Sequence, residues 1–202
     1  MKIGIICPDY IFPSEEEILS YFFEKGIEFA VMRKSQNLER DIVRFIDDIP
    51  QKYHDKIIIQ DRFNLLKHFS LNGILLSKKK PKAPSLEKRF TKGVSCSRID
   101  DILKYQNFQN IFFGPVFESI SKNNIKPVFG ETALIEAKAK NIINEKVIAM
   151  GGIDEETILK AKMIGFERVA LFGGLWGNYF VDNDKEALYA RFENLMKLAT
   201  GD

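Results

Sequence analysis

Short apolar runs alternate along the chain with longer stretches whose apolar positions recur at helical spacing. The apolar runs, rich in Ile, Val and Phe, predict strands at Lys2–Ile6, Glu28–Met32, Lys56–Gln60, Gly73–Leu76, Lys92–Ser95, Asn110–Gly114, Lys146–Met150 and Arg168–Phe172. The intervening amphipathic stretches predict helices at Ser14–Lys25, Asn37–Ile49, Ile99–Tyr105, Glu131–Ile142 and Asp154–Ile164, with a closing helix over Lys185–Ala199. Start and stop signals support two of these. Pro13-Ser14 followed by Glu15-Glu16-Glu17 suits a helix N-terminus, and Asp154 and Gly165 read as the N-cap and C-cap of another.

Strands that alternate with helices pair in parallel, because each crossover returns the chain to the same end of the sheet. Strands apolar on both faces belong in the buried middle of an α/β fold. Eight βα units in 202 residues average about 25 residues each, the lower limit for a (β/α)8 TIM barrel. An open doubly wound sheet would place a glycine-rich turn after the first strand, where this chain has Cys7-Pro8-Asp9-Tyr10. The expectation is therefore a parallel eight-stranded α/β barrel in one domain, residues 1–202. The most irregular stretch is Gly114–Gly130, a long connection of the kind that often covers a site. Its Val116, Phe117, Val128 and Phe129 argue against a purely solvated loop.

Composition narrows the partners. The net charge is +2, which gives no bulk reason to expect nucleic acid or a membrane. No apolar run approaches the roughly 18–20 residues that span a bilayer, and Ile3–Cys7 is too short for a signal-peptide core. A cytoplasmic protein with reduced cysteines is expected. Two histidines, His54 and His68, and two cysteines, Cys7 and Cys96, exclude zinc-finger spacing and a disulfide scaffold. Oligomeric state is open, and a homo-oligomer is compatible with everything above.

In a barrel of this kind the chemistry sits at the C-terminal strand ends. Those ends carry Asp9, Arg33-Lys34-Ser35, Gln60-Asp61-Arg62, Ser77-Lys78-Lys79-Lys80, Ser95-Cys96-Ser97, Ser119, Ser121 and Lys122, then Gly151-Gly152 and Gly173-Gly174. Cations, hydroxyls and side-chain-free backbone together suit phosphate groups. Asp61 is a candidate Mg2+ ligand or the partner of Arg62 or Arg33. Cys96 reads as packing, because no histidine lies near it in sequence.

Six segments carry a family resemblance. GPVFESISK at Gly114–Lys122, VIAMGGID at Val147–Asp154 and GFERVALFGGL at Gly165–Leu175 resemble the sixth, seventh and eighth strand ends of thiamin phosphate synthases and their thiazole-tautomerase relatives. GVSCS at Gly93–Ser97, IIIQDR at Ile57–Arg62 and FAVMRKS at Phe29–Ser35 follow in the same order. The resemblance implies a (β/α)8 barrel that joins a pyrimidine pyrophosphate to a thiazole phosphate, releasing pyrophosphate with Mg2+ as cofactor. It implies Arg33 and Lys122 on the pyrophosphate, Ser95 near it or the pyrimidine, Gln60 on the pyrimidine and Asp61 on the metal. It further implies Ser119 and Ser121 near the thiazole phosphate, with Gly152 and Gly173, beside Gly151 and Gly174, cradling it.

The chain departs from the family pattern at two positions. Ser35 stands where the pattern after the second strand ends in Lys, and Lys79 stands where a second metal carboxylate is expected. One carboxylate fewer and one cation more weaken the expected metal site, so that either Lys79 partly substitutes for the Mg2+ charge or the chain lacks efficient synthase activity. The tautomerase relatives use a histidine just beyond the fifth strand, where this chain has Ser97. Three readings stand at this point: a synthase, a tautomerase-like enzyme and a noncatalytic barrel that binds a phosphate ligand.

Overall fold

β-Branched and aromatic residues build the strands, and each strand is short because it crosses the protein interior once. The computed structural model describes residues 1–77, 82, 85–118, 127 and 129–201. Eight strands form a closed parallel barrel in sequence order: β1 Lys2–Ile6, β2 Ala30–Met32, β3 Ile57–Gln60, β4 Gly73–Leu76, β5 Thr91–Cys96, β6 Asn110–Phe113, β7 Val147–Met150 and β8 Arg168–Leu171. The helices are α1 Glu15–Glu24, α2 Glu39–Asp48, α3 Ile99–Lys104, α4 Glu131–Ala139, α5 Ile158–Ile164, α6 Gly173–Trp176, α7 Tyr179–Asp182 and α8 Lys185–Thr200. Short 3-10 turns occupy Gln51–Lys56 and Phe63–Lys67. No helix among the described residues is long and apolar enough to cross a membrane.

The barrel matches the sequence expectation, whereas the simple alternation does not. Only the 3-10 turn Phe63–Lys67 lies between β3 and β4, and no helix occurs among the described residues between β4 and β5. Strand β2 begins at Ala30 rather than Glu28, and β5 runs on to Cys96.

One helix-start expectation is corrected and the other holds. Ser14 makes no side-chain cap because its backbone is left-handed, with φ of 62°. Asp154 caps the turn that opens α5 as expected: its Oδ1 accepts from the Glu156 and Thr157 amides at 3.0 and 2.8 Å, and its carbonyl accepts from the Ile158 amide at 2.9 Å. The helix starts later, at Ile158, and ends at Gly165 as expected.

The chain divides into two compact units, Gly4–Val94 and Met1–Ile3 with Ser95–Asp202. In the first, β2 pairs with β3 in the register Ala30↔Ile57 to Met32↔Ile59, and β4 with β5 from Gly73↔Thr91 to Leu76↔Val94. Its core contains Ile5, Phe22, Phe23, Phe29 and Ile46, all buried. In the second, β6, β7 and β8 pair through Phe112↔Ile148 and Ala149↔Val169. There α8 closes on α5 and α6, burying Leu188, Phe192 and Leu195. Val116 and Phe117 are buried and Phe129 stacks on Phe113 at 6.2 Å, as their apolar character requires. Val128 lies outside the described residues.

Candidate functional site

The unit Gly4–Val94 brings the ends of β1, β2 and β3 into one hydrogen-bonded group. Beyond Met32 the register with β3 stops, and the chain turns through Arg33 and Lys34. Lys34 has φ of 33° and Asp61, immediately after β3, has φ of 64°. Both are left-handed conformations that residues with a Cβ adopt at a cost of about 1–3 kcal/mol. Strain of this kind at adjacent strand ends marks a place where side-chain direction matters more than backbone comfort.

The turn sends neighbouring side chains opposite ways. Arg33 lies at the surface and pairs with Asp9, Nε to Oδ1 at 2.9 Å and its terminal nitrogen to Oδ2 at 3.3 Å. Asp9 thus holds the guanidinium in the ligand-free protein. Lys34 points inward and is fully buried. Its Nζ donates to both carboxylate oxygens of Glu15 (2.6 Å to Oε2) and to the Tyr10 carbonyl at 2.9 Å. The Phe45 ring lies 5.1 Å from the same ammonium. Glu15 therefore does not serve as a solvated acid at the start of α1. Burial, partly opposed by Lys34, pushes its carboxyl up to about 7.

Asp61 is half-buried, and its Oδ1 accepts from the Ser77 hydroxyl at 2.8 Å. Neither expected arginine pairing forms, because Arg33 turns to Asp9 and Arg62 to the Asn37 carbonyl at 3.1 Å and to Glu39 at 3.9 Å. Gln60, the last residue of β3, is also half-buried. No cluster of three or more metal-ligating side chains occurs among the described residues. A single carboxylate still fits Mg2+, which uses one or two carboxylates and completes its shell with phosphate oxygens and water.

The unit Met1–Ile3 with Ser95–Asp202 holds the remaining described candidates. Ser95 is half-buried one residue before the end of β5. Cys96 is buried, and loss of hydration pushes its thiol up to about 12, which agrees with packing rather than nucleophilic chemistry.

The glycines after β7 and β8 have a backbone reason. A Cβ on Gly152, with φ of 68°, would lie 2.3 Å from the Glu118 carbonyl oxygen, and one on Gly174 would lie 2.1 Å from that of Ile153. Gly151 has φ of 85° and follows the same turn. The helix α6 begins on Gly173 itself rather than after the glycine pair. Close backbone packing thus explains three of the four glycines, and a valine at Gly152 would test folding before it tested a ligand.

Lys79, Ser119, Ser121 and Lys122 lie outside the described residues. His54 is buried with Nε2 2.9 Å from the Ile49 carbonyl and 3.0 Å from that of Ile46, while His68 is exposed after the Phe63–Lys67 turn. Ser97 is exposed just beyond β5. The Lys34–Glu15 pair escaped sequence reasoning. Its only signals were a basic residue beside Arg33 and an acid at the start of α1, and nothing local connects them.

Relatives share this architecture. The chain is 28% identical over 158 residues to a thiamine-phosphate synthase of Clostridium tetani, spanning 75% of this chain and 74% of that protein. It is 27% identical over 168 residues to a thiamine-phosphate synthase of Prochlorococcus marinus, spanning 79% of this chain and 47% of that protein. The crystal structure of a thiamine phosphate pyrophosphorylase from Bacteroides thetaiotaomicron matches with a TM-score of 0.88 at 28% identity, covering 99% of this chain and 98% of that one. One from Pyrococcus furiosus, at 18% identity and a TM-score of 0.77, shares the fold. A family model described as thiamine monophosphate synthase matches residues 5–175. With that model covering most of the chain, the protein belongs to the thiamine monophosphate synthase family.

Proposed function

We propose that the protein joins hydroxymethylpyrimidine pyrophosphate to thiazole phosphate, forming thiamin phosphate and releasing pyrophosphate. The observation that carries this reading is the strained β2 end, which presents Arg33 outward as a two-pronged donor where the family resemblance requires a pyrophosphate ligand. In the reaction the bond from the pyrimidine methylene carbon to the pyrophosphate oxygen breaks, and the thiazole nitrogen captures the carbon. Charge accumulates on the departing pyrophosphate, so fixed cations there lower the barrier. Arg33 supplies such charge once the pyrophosphate displaces Asp9. The resemblance assigns Lys122 to the same role, and Lys79, which stands where the family has a metal carboxylate, is proposed to replace part of the magnesium charge.

Asp61, held by Ser77, is the residue we assign to Mg2+, which would neutralise pyrophosphate charge when bound. Gln60 and Ser95 are assigned to the pyrimidine end, Ser119 and Ser121 to the thiazole phosphate, and the amides around Gly152 and Gly173 to the same phosphate. A cytoplasmic location suits the two buried free thiols, Cys7 and Cys96.

The direct test supplies both precursors and Mg2+ and follows release of pyrophosphate and formation of thiamin phosphate. Absence of product at high protein concentration, beside an active synthase control, rejects the reading. Calorimetric binding of thiazole phosphate without turnover would favour a noncatalytic barrel instead. Asp61→Asn is expected to shift the Mg2+ dependence of the rate to higher concentration. An unchanged magnesium titration would remove Asp61 from the metal site.

A further inference from the structure

Arg33 stands where the β2–β3 register has ended, so strand pairing does not hold it. What holds the turn is the next residue. Lys34 is fully buried, adopts φ of 33°, and anchors at once to Glu15 on α1 and to the Tyr10 carbonyl in the β1–α1 connection. The same two segments are joined by three further bonds. The Gln36 amide donates to the Asp9 carbonyl at 3.0 Å, the Ile11 amide to Asn37 Oδ1 at 2.9 Å, and Arg33 pairs with Asp9. Apolar rings surround the ammonium, with Phe45 at 5.1 Å and Phe12 at 6.0 Å.

We propose that Lys34 is the positioning residue for Arg33. Its buried ammonium, gripped by Glu15 and the Tyr10 carbonyl, locks the left-handed turn that points the guanidinium outward and fixes the Asp9 loop that Arg33 leans on. Lys34 touches no ligand. It acts through Arg33, because two consecutive side chains on a turn of defined φ cannot be re-aimed independently. An αL turn at a lysine is unfavourable on its own, so without the buried anchor the backbone relaxes and Arg33 loses its direction. A hydrophobic pair in place of Lys34 and Glu15 would fill the same space without fixing the turn. This inference rests on the assignment of Arg33 to pyrophosphate.

The test is a double-mutant cycle on binding of inorganic pyrophosphate to the full chain in the presence of Mg2+, read by calorimetry. Lys34→Met is expected to weaken binding by about tenfold to a hundredfold, the scale of a displaced binding group. In an Arg33→Met background the same substitution should have no further effect. Additive losses in the cycle would overturn the proposal, since Lys34 would then not act through Arg33.

Lys34→Met leaves Glu15 buried without its cation, so the cycle is repeated with Glu15→Leu/Lys34→Met, which carries no buried charge. If Lys34 only stabilises the fold, this paired variant binds pyrophosphate like the parent, and the proposal fails. If Lys34 aims Arg33, the paired variant melts near the parent temperature and still binds weakly. A parent chain that does not bind pyrophosphate at all rejects the proposed function itself, and a parent that binds but is indifferent to Arg33→Met rejects the role of Arg33. Either result removes the basis of the positioning role and is told apart from additivity.

Discussion

Lys34→Met is expected to destabilise the fold by about 3–5 kcal/mol, the cost of removing one partner from a buried ion pair. For a chain of this length that corresponds to a fall in Tm of roughly 6–20 °C. The loss arises because Glu15, fully buried beneath the β1–α1 connection, is left without its counter-cation while two hydrogen bonds to its carboxylate disappear. The loss should depend on pH, with a definite sign. Glu15 has an ordinary carboxylate value of 4.5 in the unfolded chain and is pushed up to about 7 in the fold. Between those values the folded protein holds the extra proton. The stability contributed by the protonated carboxyl is therefore complete below 4.5 and is lost as pH rises through about 7. Lys34 lowers the carboxyl value in the parent, so its removal extends this loss to higher pH. Thermal melts of Lys34→Met should accordingly fall further below the parent at pH 8 than at pH 5. Glu15→Gln, which cannot titrate, should flatten the parent's decline over the same interval. Equal Tm differences at both pH values would show that the pair is not electrostatically coupled.

Arg33→Met should lower the rate of thiamin phosphate formation by about 10²–10³, the usual consequence of removing one preorganised donor from a developing charge. The effect should concentrate in kcat/KM for the pyrimidine pyrophosphate, because the guanidinium meets that substrate and not the thiazole. Arg33→Lys should restore only part of the rate. A lysine preserves the charge but not the planar fork that Asp9 grips in the ligand-free protein at 2.9 and 3.3 Å. A rate within about threefold of the parent would remove Arg33 from the reaction, since one lost donor costs far more than that. Asp9→Asn adds a useful comparison. It frees the fork from a competing carboxylate and also removes the contact that orients it, so its effect on pyrophosphate affinity reports which contribution is larger.

Much of the architecture was legible from local pattern. Runs such as Ile57-Ile58-Ile59 and Ile111-Phe112-Phe113 are buried strands on either face, and the regular return of helical spacing between such runs implies parallel pairing. The candidate rim was legible for the same reason, since residues that immediately follow such a strand lie at its end. Arg33, Gln60 and Asp61 are therefore found where their sequence positions put them. What local pattern could not supply is where a side chain points once the strand ends. The acids at the start of α1 looked like a favourable charge for the helix dipole, yet Glu15 is buried against Lys34, 19 residues away. Ser14 had the chemistry of a helix cap, yet its left-handed backbone leaves it without a side-chain cap.

By itself, then, the sequence determined the succession of strands, the closure of eight of them into a barrel and the chemical kinds of residue that gather at the strand ends. Those features follow from apolar periodicity and chain connectivity, which are properties of neighbouring residues. Only the tertiary structure decided that Arg33 faces outward while Lys34 turns into the interior, that Asp9 pairs with the Arg33 guanidinium, and that Gly152 and Gly174 are required by backbone contact. Each of those outcomes depends on one φ angle, or on a partner brought from a distant segment, and neither is encoded in the local alternation of apolar and polar residues.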